Sequence, residues 1–187
     1  DMFKIMEKRA YDMAACTGTN VNIYFNNQKI DCKTFEKYAD LYLGNKKENP
    51  RVYEKINDRW EVCATLNPEM TFEQISFVNG INTTKGGKHV DYVVNQLTNK
   101  LSKYINKKKK VSVKPNYIKE ILFVMVKSTI DNPSFNSQTK EELTTDKSKF
   151  GKTCEISDKF IENLAKCGIM EKAVELAMAK DNKSLKK

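Results

Sequence analysis

Residues 52–66 read Val-Tyr-Glu-Lys-Ile-Asn-Asp-Arg-Trp-Glu-Val-Cys-Ala-Thr-Leu. Two strand-like runs, Val52–Ile56 and Trp60–Leu66, flank the turn-forming Asn57-Asp58-Arg59, and together they predict a hairpin. Asn67-Pro68 marks the next turn and Phe72–Val78 a third strand, so the expected arrangement is an antiparallel meander. Upstream the pattern is helical. Met2, Phe3, Met6, Ala10, Met13 and Ala14 recur at helical spacing, as do Phe35, Tyr38, Ala39, Tyr42 and Leu43 within a helix expected over Cys32–Leu43 and closed by Gly44. Between them Val21–Phe25 alternates like a strand and ends at the turn pair Asn26-Asn27. The polar, charged stretch Asn45–Pro50 separates the two regimes and is the candidate linker.

Downstream, Asn79–Lys88 reads as a loop that opens into a long helix striped by Val90, Val93, Val94, Leu97, Leu101 and Ile105. That helix ends in Asn106 and four lysines. Ile121–Val126 is a continuous apolar run, the mark of a strand buried on both faces. Asp131–Gly151 reads as a long polar loop, and loops of that length are usually functional or disordered. Two helices follow, the first capped by Ser157 and the second set off by Gly168, with a basic tail at Lys180–Lys187. Strands followed by helices predict an α+β fold, a mixed sheet with helices packed on one face.

Composition narrows the chemistry. The 187 residues carry 33 Lys and Arg against 24 Asp and Glu, a formal net charge of +9, and the only arginines are Arg9, Arg51 and Arg59. Such a surplus favours a polyanionic partner through counterion release. Lysine is a point charge rather than a bidentate fork, so it suits phosphate contact better than base reading. No apolar run approaches the roughly 20 residues of a membrane span. The five cysteines are scattered and lie far from His89, the only histidine, which argues against a zinc site and a disulfide framework. The chain lacks an initiator methionine and is expected to begin inside a longer protein.

Three segments carry more specific information. The first is Trp60-Glu61-Val62-Cys63 with Ile75-Ser76-Phe77-Val78-Asn79. The second is Thr83-Thr84-Lys85-Gly86-Gly87-Lys88-His89-Val90-Asp91-Tyr92-Val93. The third is Asn132-Pro133-Ser134-Phe135-Asn136-Ser137-Gln138-Thr139-Lys140-Glu141. Their order and spacing resemble type IIA DNA topoisomerases. The ending Lys88–Val93, the stretch Ser148–Cys154 and Arg9–Ala14 resemble the eukaryotic form, DNA topoisomerase II.

The resemblance implies that residues 1–45 finish a GHKL-type ATPase domain and that residues 46–187 form the transducer domain, a two-layer fold like that of a ribosomal protein. It implies that Gln138, Thr139 and Lys140 meet ATP, with Lys140 and Gln138 on the γ-phosphate and Thr139 shaping the loop. It also implies that Lys107, Lys108, Lys109 and Lys110 touch double-stranded DNA. The whole enzyme would be a nuclear homodimer using ATP and Mg²⁺, with the metal bound elsewhere in the polypeptide. Taken without the resemblance, Gln138-Thr139-Lys140 is an ordinary solvated trio and the lysine run a solvated helix end. Gly86-Gly87 is not a Walker loop, because G-x-x-x-x-G-K-[ST] is absent. It reads as a strand-to-helix turn needing positive φ. His89 reads as a structural, hydrogen-bonded histidine, and Lys85 and Lys88 as candidates to line a DNA cavity. The GHKL pocket motifs and the DNA-cleaving tyrosine region are absent, so the chain alone is expected to be inactive. The rival readings are a stand-alone basic DNA-binding module without enzymatic role, and a mismatch-repair or chaperone ATPase of the same two-domain plan.

Overall fold

The structure, a computed structural model, describes residues 1–184. Helix α1 spans Met2–Cys16 and α2 Phe35–Leu43, with a two-residue ribbon between them, β1 (Tyr24–Phe25) and β2 (Gln28–Lys29). The strand expected over Val21–Phe25 shrinks to its last two residues. Asn26 and Asn27 take φ of 48° and 62°, which turns the chain back at once. The second helix starts at Phe35 rather than Cys32, because the Thr34 hydroxyl accepts from Lys37 N at 3.1 Å and fixes the N-terminus there. Gly44, at φ 65°, closes it.

The central sheet has five strands in the order β3-β4-β8-β5-β6. These are β3 (Arg51–Lys55), β4 (Trp60–Leu66), β5 (Glu73–Val78), β6 (Ile81–Asn82) and β8 (Leu122–Ser128). The hairpin of β3 and β4 forms as expected, with Tyr53 opposite Cys63. The meander does not continue. Strand β8 inserts between β4 and β5, antiparallel to the first and parallel to the second. A strand apolar on both faces belongs at the centre of a sheet, and the helical crossover from β5 delivers it parallel.

Alternation along the central strands feeds two cores. Val62, Ala64, Leu122, Val124 and Val126 face one side, while Cys63, Phe77 and Met125 face the other. The first side is covered by α3 (Lys88–Lys109), α4 (Pro115–Lys119), α5 (Asp158–Leu164) and α6 (Met170–Ser184). The helical layer thus sits on one face for the part of the chain after residue 50. The opposite face is covered by α1 and α2. The α3 stripe Val90, Val93, Val94, Leu97, Leu101 and Ile105 is buried. Each such side chain contributes about 1.5–3 kcal/mol, an upper figure, which outweighs the modest helix propensity of valine.

Helix α4, which the sequence reading passed over, begins with Pro115 at its first position. The Ser157 hydroxyl accepts from Phe160 N at 3.0 Å and starts α5. Gly168, at φ 91°, sits in a short π-type turn (Ala165–Ile169) between α5 and α6. Trp60 is fully buried and its indole N–H donates to Lys152 O at 2.9 Å. Of the basic tail, Lys180 pairs with Glu120 at 2.8 Å, and residues 185–187 lie outside the described residues.

Candidate nucleotide and DNA sites at the two ends of one helix

The polar segment after β8 is pinned at both roots. Asn79 exchanges hydrogen bonds of 2.9 Å with Ile130 N and O, and Arg59 pairs with Asp131 at 2.8 Å. At the far root, Gln96 donates to Cys154 O at 2.7 Å. What the sequence presents as one loop is a short ribbon. Thr144 N donates to Ser134 O at 2.9 Å, Phe135 bridges Leu143, and Asn136 N donates to Glu142 O at 3.1 Å.

Ser137, Gln138, Thr139 and Lys140 form the exposed tip. Lys140 N donates to Ser137 O at 3.1 Å and Lys140 sits at φ 59°, while the Ser137 and Thr139 hydroxyls lie 3.0 Å apart. The Lys140 ammonium stands 5.9 Å from the centre of the Phe135 ring. Among the described residues no carboxylate pairs with it, since Glu141 is bound to Lys85 and Glu142 receives the Asn136 amide. The tip therefore presents an unneutralised cation, an amide and a hydroxyl together. That set fits a phosphate oxygen.

The ribbon is fastened to the start of α3. Gly86 and Gly87 (β7) pair in parallel with Glu142 and Leu143 (β9). Gly86 takes φ 73° and Gly87 φ 128°, matching the turn expected there. Lys85 N donates to Glu141 O at 2.9 Å, Lys85 Nζ pairs with Glu141 at 2.6 Å, and Lys88 pairs with Asp146. Lys85 and Lys88 are thus engaged with the ribbon. The Glu141 contact holds the Lys85 pKa above its ordinary value, and Lys88 holds that of Asp146 below.

His89 lies beneath this junction, fully buried. Its Nε2 is 3.2 Å from the Thr83 hydroxyl, which is 2.5 Å from the Ser76 hydroxyl. Burial pushes its pKa down to about 3, so it is neutral at pH 7 and structural. Burial likewise pushes the Cys16, Cys63 and Cys154 thiols up to about 12, which removes them as nucleophiles.

Lys107, Lys108 and Lys109 occupy the last turn of α3, and Lys110, at φ 53°, caps it. All four are exposed. The helix C-terminal dipole favours cations at this end. Lys108 Nζ lies 5.4 Å above the Tyr104 ring. Val113 N donates to Asn106 at 2.7 Å and folds the following chain back, leaving the lysines projecting. The helix has 22 residues. At about 1.5 Å per residue the cluster and the ribbon junction are about 33 Å apart, at opposite ends of one rod.

The sequence reading assigns no role to Glu141, which only closes the third motif, and Leu143 and Asp146 belong to no motif. The available signal was Leu143, the one apolar side chain between Asn136 and Lys149. Among the described residues no helix is long and apolar enough to cross a membrane, and no group of three or more His, Cys, Asp or Glu side chains is placed to hold a metal.

Known proteins are similar to the chain in both sequence and overall fold. The family model for DNA gyrase B matches residues 22–187. The DNA topoisomerase 2 of Arabidopsis thaliana is 47% identical across the whole chain, and the DNA topoisomerase 2-alpha of Gallus gallus is 45% identical over 91% of it. The chain spans 13% and 11% of the lengths of those two proteins. The crystal structure of the ATPase and transducer domains of DNA topoisomerase II from Balamuthia mandrillaris superposes with a TM-score of 0.88 at 35% identity, covering 97% of this chain and 46% of that one. The ATPase region of Saccharomyces cerevisiae topoisomerase II superposes with a TM-score of 0.86 at 38% identity, covering 95% and 45%. The chain belongs to the DNA gyrase B family, and its fold is that of a part, just under half, of the ATPase and transducer region of eukaryotic DNA topoisomerase II.

Proposed function

We propose that the chain is the part of an ATP-dependent type II DNA topoisomerase that senses the ATP γ-phosphate and passes ATP binding and hydrolysis on to the DNA gate. Residues 1–45 close the ATPase domain and residues 46–187 form the transducer. The exposed apolar residues of α1, Met2, Phe3, Ile5 and Met6, support a larger body packed on that side. The whole enzyme passes one DNA duplex through a transient double-strand break in another. It acts as a homodimer in the nucleus, and its Mg²⁺ is held outside this segment.

The observation that carries the reading is the Lys140 ribbon, a cationic tip on a fastened stem. ATP supplies the terminal phosphoryl group whose loss is sensed. The Lys140 ammonium and the Gln138 amide meet that group, and Thr139 holds the tip in shape. A contact made to the γ-phosphate alone is present with ATP and absent with ADP. It therefore biases the arrangement of the transducer against the ATPase domain by its differential affinity. As negative charge develops on the phosphoryl oxygens, Lys140 stabilises it from a fixed position. At the other end of α3, Lys107–Lys110 hold duplex DNA through its phosphates.

Lysine acylation of the whole enzyme tests this reading. A non-hydrolysable ATP analogue should shield Lys140 from the reagent and ADP should not. Equal labelling of Lys140 in both states would refute the contact.

A further inference from the structure

We propose that Lys85 and Lys88 are positioning residues that hold Lys140 in place through ion pairs to Glu141 and Asp146. The inference rests on the reading of Lys140 as the γ-phosphate contact. A two-stranded ribbon is marginal by itself, and between its pinned roots this one has a strand ladder to the rest of the protein of only two residues, at β7. Its tip is closed by one backbone hydrogen bond, from Lys140 N to Ser137 O. The placement of Lys140 is therefore set by the residue after it. Glu141 is held twice by Lys85, at its carbonyl (2.9 Å) and at its carboxylate (2.6 Å). Asp146, at the far end of the ribbon, is held by Lys88. Both lysines flank the Gly86-Gly87 turn, so the start of α3 grips the ribbon on either side of its β7 contact.

Exposed ion pairs add little to global stability. The competing state here is not the unfolded chain but a ribbon displaced by an ångström or two. A small bias decides between those positions, and misplacing a charge-stabilising group by about 1 Å costs up to about 100-fold in rate. Glu141 and Asp146 also neutralise Lys85 and Lys88, leaving Lys140 as the cation offered at the tip.

The test uses the whole enzyme with DNA. Lys85→Glu, Glu141→Lys and the double swap are each made with Lys140 intact and with Lys140→Ala. Steady-state ATPase kinetics and deuterium uptake over residues 134–144 are measured on each. Each single reversal should lower kcat roughly tenfold and speed uptake in the ribbon, with the melting temperature unchanged. The swap should restore both, and neither reversal should lower the rate further once Lys140 is alanine. Lys88→Glu with Asp146→Lys should behave likewise with a smaller effect. The proposal is overturned if the reversals leave uptake and kcat unchanged, if the swap rescues neither, or if they slow the Lys140→Ala enzyme equally. If Lys140→Ala by itself leaves the rate unchanged, the phosphate contact fails. Faster uptake rescued by the swap would then still establish the grip on the ribbon.

Discussion

Gly87 and Leu143 are partners across a two-residue parallel bridge, so close that a Cβ on Gly87 would lie 2.4 Å from the Leu143 carbonyl oxygen. No side chain fits there, and the φ of 128° independently demands glycine. This contact brings the Lys140 ribbon against the start of α3. Gly87→Ala should cost about 2 kcal/mol or more from strain and displaced backbone. Thermal unfolding should show a fall of roughly 5 °C, with a fall in ATPase rate beyond it. Gly18→Ala, where nothing lies within 4 Å, is the control and should be neutral. An unchanged melting point and rate for Gly87→Ala would mean the bridge does not form.

The buried His89 makes stability depend on pH. Its pKa is about 3 in the fold, against about 6.5 in the unfolded chain. Between those values only the unfolded state binds the proton, so stability rises with pH through that window and is lost as pH falls. From pH 7 to pH 5 this one group should remove about 2 kcal/mol. His89→Gln has no such proton to take up, and its urea midpoint should fall less over the same range. Equal pH slopes for the two proteins would show that His89 is not held neutral.

Removing the charges of Lys107–Lys110 should weaken DNA binding without changing sequence preference. The diagnostic is the slope of log affinity against log salt, measured for the whole enzyme and for the variant with all four lysines changed to glutamine. Each lost phosphate contact should flatten that slope by about 0.9. A weaker affinity with an unchanged slope would assign the lysines a role other than phosphate contact.

Which parts of the molecule could be read in advance follows from how local their causes are. The α3 stripe from Val90 to Ile105, the Ser157 cap and the Gly168 break each depend on neighbours within one or two turns, and each stands where it was expected. The β3–β4 hairpin is equally local. The order of strands is not, because β8 lies beside β4, which is more than 50 residues earlier in the chain, with α3 forming the crossover between β5 and β8. The β7–β9 bridge has two residues per strand and depends on an absent Cβ, so it leaves no periodic trace. Pro115 did signal α4, in a stretch where no recognised motif drew notice. As for the site, composition pointed to phosphate and the motif pointed to Lys140. The contacts that hold its ribbon, Glu141 to Lys85 and Leu143 to Gly87, appear only once residues more than 50 positions apart are brought together.

The most direct test is the steady-state ATPase rate of the whole enzyme with DNA, wild type against Lys140→Ala. The side chain is exposed and makes no ion pair among the described residues, so folding should be intact. Loss of a fixed charge at the transferring phosphoryl group should lower kcat on the order of 100-fold. An unchanged rate, with ATP still driving strand passage as in wild type, would contradict the account and leave this segment a DNA-binding connector.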